Sequence, residues 1–195
     1  MRAPRDRDAR TRSGRLVVLS GPPAVGKGTI VTALRARHPD LWYSVSVTTR
    51  PPRPGEVDGV HYLFRTPEQF DAMVAAGDLL EWAVVHGVHR YGTPRGPVDE
   101  LLDTGRPVLL ELDLQGARQV HAARPEARMV FLAPPSRDDL VERLAMRGTE
   151  GPEERQRRLA TADVELAAQA EFDDVVVNDR VESAATRLEE ILGLD

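Results

Sequence analysis

The sequence predicts an α/β protein built on a parallel sheet. Short, near-continuous apolar runs, Arg15–Ser20, Val108–Leu112, Arg128–Ala133 and Val175–Val177, are separated by helical patterns, as expected of strands covered on both faces. The first run ends in a glycine-rich turn that opens onto a helical pattern. The length, 195 residues with 41% hydrophobic, is enough for one compact domain that buries a sizeable core without metal or disulfide.

The elements follow in order. Met1 to Gly14 holds five Arg and almost nothing apolar, so residues 1–14 are expected to be a disordered tail. After the first strand, Ile30, Val31 and Leu34 recur at helical spacing until His38-Pro39. Tyr43 to Thr49 alternates and is β-branched, which reads as a half-exposed strand, and a Pro/Arg-rich turn follows from Arg50 to Gly55. His61 to Phe64 reads as another strand. Thr66-Pro-Glu-Gln69 has capping-box spacing with Pro at the first helical position, and Gly77 fits the end of that helix. Leu79 to Val85 returns as a strand. Ser136-x-x-Asp139 starts a helix with Leu140 and Leu144 one turn apart, a charged stretch runs from Arg147 to Arg158, and a second helix extends to about Ala170. A last helix after Val181 brings Leu188, Ile191 and Leu192 to one face. The expected layout is a core of residues 15–42, 97–135 and 171–195, interrupted by a strand-rich insert over 43–96 and a helical excursion over 136–170.

Composition excludes several classes of function. With no Cys there is no thiolate metal site, disulfide or cysteine nucleophile, and a cytoplasmic location is expected. The net charge of -5 argues against a general nucleic-acid binder, and no apolar run approaches the roughly 18 residues of a membrane span. The five His, scattered without metal-ligand spacing, read as structural or surface residues.

Among 26 cationic side chains a single one is Lys, and that residue, Lys27, ends the segment Gly21-Pro-Pro-Ala-Val-Gly26-Lys27. This is the G-x-x-x-x-G-K pattern of a phosphate loop, in the strand-to-helix context that gives it meaning. Glycines let successive N–H groups turn inward, the helix N-terminus adds partial positive charge, and the ammonium reaches the outer phosphates. The next residue departs from the pattern: Gly28 stands where a Ser or Thr hydroxyl normally meets magnesium, and Thr29 follows one position late. Either Thr29 takes part or the metal is held largely through water and nucleotide oxygens.

Further motifs lie along the chain: Ser46-Val-Thr-Thr-Arg50-Pro-Pro-Arg53-Pro-Gly-Glu56, Gly59-Val-His-Tyr62-Leu-Phe64, Leu80-Glu81-Trp82, Tyr91-Gly-Thr93, Leu112-Asp113-Leu-Gln-Gly116, Arg143-Leu-Ala-Met-Arg147-Gly, Arg158-Leu159 and Val177-Asn178-Asp179. In this order, and from Arg15 onward, the chain resembles the guanylate kinases. The resemblance implies a P-loop nucleoside-monophosphate kinase fold with a strand-rich GMP-binding insert and a helical lid, moving the γ-phosphoryl group of ATP to GMP or dGMP with Mg2+. It implies an ATP site of Gly21, Pro22, Pro23, Ala24, Val25, Gly26, Lys27, Gly28, Thr29 and Asn178, with Asp179 near the adenine. The GMP site is implied at Ser46, Arg50, Arg53, Tyr62, Glu81, Tyr91, Thr93 and Asp113. Lys27, Arg50, Arg147 and Arg158 are the implied catalytic cations, the last two on the lid, and Thr29 and Glu111 the metal-side groups. Ala24 replaces a usual Gly, Glu111 a usual Asp, and His86 to Arg90 is one residue longer than usual.

The residues also make chemical sense by themselves. Arg50 and Arg53, three apart in a Pro-stiffened turn, can converge on one phosphate, although solvated turn arginines have the same spacing. A carboxylate such as Glu81 matches guanine's adjacent N1–H and N2 donors, and adenine would leave it facing an acceptor. Two other functions share these motifs. A non-catalytic module binding a phosphorylated peptide is opposed by Lys27 and the two lid arginines. A kinase of a phosphorylated sugar is opposed by Glu81, Ser46 and Thr93. Oligomeric state is not legible.

Overall fold

The computed structural model describes residues 15–85, 88–146 and 152–194. The tail over 1–14 and Arg147 lie outside them. Among the described residues, five parallel strands form the main sheet: β1 (Leu16–Ser20), β2 (Trp42–Tyr43), β7 (Val108–Glu111), β8 (Arg128–Ala133) and β9 (Asp174–Val177), in the order β2-β7-β1-β8-β9. β1 is central and wholly buried, and its alternation explains why no polar face was visible in its sequence. Val17 and Leu19 point to one side, against Ile30 and Leu34 of α1 (Lys27–Arg37) and Ala185 and Leu188 of α7 (Val181–Leu192). Leu16 and Val18 point to the other, with Val98 of α3 (Arg95–Asp103) and Ala117 and Val120 of α4 (Leu114–Ala123).

A second sheet holds β3 (Val47–Thr48), β4 (Leu63–Phe64), β5 (Leu79–Val85) and β6 (His89–Pro94) in the order β4-β3-β6-β5, with β6 antiparallel to both β3 and β5. α2 (Pro67–Ala76) covers it through Phe70, which packs with Val47 and Leu79. The capping box of α2 forms as the sequence suggests: Thr66 Oγ1 accepts from Gln69 N at 3.2 Å, Gln69 Oε1 accepts from Thr66 N at 2.9 Å, and Gly77 closes the helix with φ +73°. α5 (Arg137–Met146) and α6 (Pro152–Ala167), continued by a 3-10 turn over Ala168–Glu171, form the helical excursion.

Two expectations are corrected. Tyr43 to Thr49 is not one strand: Trp42 and Tyr43 pair in parallel with β7, the chain crosses over at Ser44 to Ser46, and Val47 and Thr48 join the second sheet. His61 to Phe64 narrows to a two-residue strand. α3 is a helix that the Pro-rich segment around Pro94 and Pro97 conceals; Pro97 sits in its first turn, where a missing N–H costs little.

Candidate active site

The phosphate-loop segment leaves β1 at the C-terminal edge of the parallel sheet, where open α/β sheets bind their ligands. Gly21 has φ +147°, and a Cβ there would stand 2.3 Å from the Leu132 carbonyl oxygen, so the loop crosses β8 where no side chain fits. Ala24 turns through the left-handed region at φ +64°, and Gly26 at φ +103° places the first amides of α1 toward the loop. Lys27 Nζ donates to the Gly21 and Pro22 carbonyls, folding its ammonium over the loop.

The loop is braced from behind. Asn178, 4% exposed after β9, donates from Nδ2 to the Val25 carbonyl at 2.7 Å, and a Cβ on Gly26 would meet that same Nδ2 at 2.5 Å. Arg143 of α5 donates to the Val25 and Asn178 carbonyls at 3.2 and 3.0 Å. The bracing role of Arg143 was not read from its motif. Gly28 and Thr29 are exposed and line a cavity with Gly26 and Thr32, while Pro22 and Val25 are buried and Pro23 is half-buried.

A second cavity, of about 290 Å3, lies between the two sheets and is lined by Ser46, Tyr62, Glu81, Tyr91, Glu111 and Asp113, among others. Glu81 and Thr93 face each other across β5 and β6, and the Thr93 hydroxyl donates to Glu81 Oε1 at 2.7 Å. Glu81 is 6% exposed; burial pushes its carboxyl up to about 7, Asp113 adds in the same direction, and the Thr93 hydroxyl pulls it back. Gly116 lets the first turn of α4 approach, since a Cβ there would lie 2.8 Å from Glu81 Oε2. Asp113 is the N-cap of that helix and accepts from Gly116 N at 2.7 Å.

Arg50 occupies one end of the second sheet. It is 8% exposed, donates from Nη1 and Nη2 to the two Glu56 oxygens at 2.9 Å each, and donates from Nε to the Tyr91 hydroxyl at 3.0 Å. Its guanidinium also lies 5.3 Å from the Tyr62 ring centre. The pair holds the Glu56 carboxyl down at about 2, with the Arg53 amide as the second cause. Glu56 is separated from Arg50 by a turn, and only the fold brings it back onto the guanidinium. The Arg53 side chain is exposed, and its backbone N–H donates to Glu56 at 2.7 Å. Burial pushes the Tyr62 hydroxyl up, with Tyr91 adding to the rise.

Of the metal-side residues, Thr29 lines the loop cavity, whereas Glu111 lines the inter-sheet cavity and accepts from the Tyr43 hydroxyl at 3.2 Å. The described residues hold no group of three or more His, Asp or Glu able to cage a metal ion. Arg158 is half-buried on α6. A second acidic residue that the sequence does not single out, Glu165 on α6, is 8% exposed and lines a further cavity with Asp113 and Leu114.

The chain is similar over most of its length to known proteins. The family model described as guanylate kinase matches residues 13–194. Guanylate kinase from Nocardia farcinica is 62% identical over 91% of this chain and 93% of its own, and guanylate kinase from Leifsonia xyli subsp. xyli is 59% identical over 93% of this chain and 71% of its own. The crystal structure of guanylate kinase from Anaplasma phagocytophilum superposes with a TM-score of 0.74 at 32% identity, covering 93% of this chain and 86% of that one.

Proposed function

The chain belongs to the guanylate kinase family, and from that premise we propose how its own residues divide the transfer of the γ-phosphoryl group from ATP to GMP or dGMP. The inter-sheet cavity takes the acceptor. Ionised Glu81 accepts the guanine N1–H and N2 amino donors, Thr93 and Ser46 offer hydroxyls to the ring, and Asp113 reaches the amino group from the opposite wall. The observation that carries this reading is a carboxylate that lines a cavity separate from the phosphate loop and is paired with the fully buried Thr93 hydroxyl. Adenine would leave that carboxylate against an acceptor, a mismatch that costs selectivity on the order of 10⁴-fold.

Arg50, oriented by Glu56 and Tyr91, grips the acceptor phosphate with Arg53, Tyr62 and Tyr91. The amides from Gly21 to Thr29 cradle the ATP phosphates, and Asn178 keeps Val25 and Gly26 in the required turn. Lys27 exchanges its loop carbonyls for phosphate oxygens when ATP binds. Lys27, Arg50 and the lid arginines Arg147 and Arg158 stabilise negative charge as the phosphoryl group passes between the two phosphates. The acceptor phosphate is already ionised at neutral pH and needs no general base. Magnesium would arrive with ATP as part of the substrate and neutralise phosphate charge; Thr29 would offer a hydroxyl from the loop cavity, whereas Glu111 stands in the separate inter-sheet cavity with the Tyr43 hydroxyl. No helix among the described residues is long and apolar enough to cross a membrane.

The test is ADP formation from ATP and magnesium with GMP, AMP or ribose 5-phosphate as acceptor. GMP is expected to be turned over at least about 10³-fold more efficiently than AMP. Failure to form GDP would overturn the assignment.

A further inference from the structure

Among the described residues β5 is an edge strand, paired with β6 on one side and with no strand on the other. Its free edge is met by α4, a helix of the parallel core. Gln119 of α4 takes both outward groups of a single residue: its Oε1 accepts from Trp82 N at 3.1 Å, and its Nε2 donates to the Trp82 carbonyl at 2.8 Å. A carboxamide thus gives Trp82 the donor and the acceptor that a neighbouring strand would otherwise supply. Met has the same reach with neither group, and Asn has both groups one methylene short.

Trp82 directly follows Glu81, the carboxylate that lines the inter-sheet cavity. Leu80, directly before it, is buried in the same apolar cluster as Ala117 and Val120 of α4. Gly116, Gln119 and Val120 are three or four residues apart and so lie on one face of the helix. That face holds β5 on both sides of Glu81, by packing at Leu80 and by two hydrogen bonds at Trp82. Between the two holds, a Cβ on Gly116 would stand 2.8 Å from Glu81 Oε2, so helix and carboxylate approach closely. The Thr93 hydroxyl turns the head of Glu81, whereas Gln119 fixes the strand from which Glu81 projects.

We propose that Gln119 is a positioning residue for guanine recognition: by bonding both backbone groups of Trp82, it fixes β5 against α4 and sets where Glu81 meets the base. The proposal rests on the assignment of the inter-sheet cavity to GMP. A displaced carboxylate can still accept one donor, but accepting two adjacent donors at once requires both its position and its tilt. Loss of Gln119 therefore falls harder on guanine, which has N1–H and the N2 amino group, than on hypoxanthine, which has N1–H alone.

The experiment is steady-state kinetics with GMP and IMP as acceptors on Gln119→Met, Gln119→Asn, Glu81→Gln and the double variant Glu81→Gln, Gln119→Met, with the thermal midpoint as a check on folding. Met and Asn are each expected to raise KM for GMP about tenfold, to move KM for ATP less than about twofold, and to lower the GMP-to-IMP ratio of kcat/KM about fivefold. A side chain that only filled space would spare Met, and one that only stabilised the fold would lower the thermal midpoint with the ratio unchanged. Because the effect runs through Glu81, Gln119→Met is expected to change the ratio less than about twofold once Glu81 is replaced by Gln. An unchanged ratio in Met and Asn, equal shifts in both KM values, or the same loss in the Glu81→Gln background would overturn the proposal. Should Met not fold, Asn and its double variant with Glu81→Gln decide in its place. A parent protein with no preference for GMP over AMP overturns the assignment of the cavity and the proposal with it; a parent that prefers GMP, with unchanged Gln119 variants, overturns the proposal alone.

Discussion

Glu81 can accept two guanine donors only when ionised, and its burial makes ionisation a variable within the ordinary working range of pH. With its carboxyl pushed up to about 7, protonation competes with guanine below that pH. Each pH unit below the pKa changes the ionised fraction about tenfold, so the Kd for GMP is expected to rise about tenfold at pH 6 and about a hundredfold at pH 5 from this group alone. Binding at pH 6 should release about nine-tenths of a proton from Glu81. Calorimetry in two buffers of different ionisation enthalpy measures that release directly. The GMP phosphate also titrates near pH 6, so the comparison is with Glu81→Gln, which retains the phosphate contribution and loses the carboxyl one. The variant is expected to bind guanine and hypoxanthine bases with less discrimination and to show a shallower pH profile. Identical profiles and identical proton release in the two proteins would refute the reasoning.

The same burial affects the ligand-free protein. Glu81 and Glu165 are both pushed up to about 7, so the stability tied to their protonated forms is complete below about pH 4.5 and is lost as pH rises through 7. The double variant Glu81→Gln, Glu165→Gln should flatten the thermal midpoint across that window relative to the parent. Lys27→Ala is expected to lower kcat about a hundredfold or more with the fold intact, as seen by circular dichroism; near-normal turnover removes the ammonium from the mechanism. Gly28→Ala is expected to raise the thermal midpoint, by stabilisation of up to about 1 kcal/mol, because Gly28 lies in the first turn of α1 and nothing stands within 4 Å of an added Cβ. A lower midpoint in differential scanning calorimetry would contradict the open space found there.

The parallel core was legible because its strands are buried on both faces: runs such as Leu16 to Leu19 have no polar alternation to blur them. The α2 boundaries were legible because Thr66, Pro67, Gln69 and Gly77 act locally. The passage from Tyr43 to Thr49 was not, since alternation reports which face is covered and says nothing about which sheet a residue joins. For the candidate site, the loop from Gly21 to Lys27 announces itself by contiguous spacing, whereas Glu56 and Arg143 act on partners that the fold alone brings near. Glu165 sits in a charged helix where an acidic residue attracts no notice, and only the fold buries it beside Asp113 and Leu114.

The inter-sheet cavity draws one wall from each sheet: Glu81 and Tyr91 stand on the antiparallel side, Glu111 and Asp113 at the edge of the parallel side. The chain passes from β2 to β3 over Ser44 to Ser46 and returns from β6 directly into α3. The two sheets thus work as the jaws of a caliper. A rotation of one against the other would change the gap between the jaws without touching the strand pairing within either, and the paired hydrogen bonds between Gln119 of α4 and the Trp82 backbone of β5 are the contacts that would resist it.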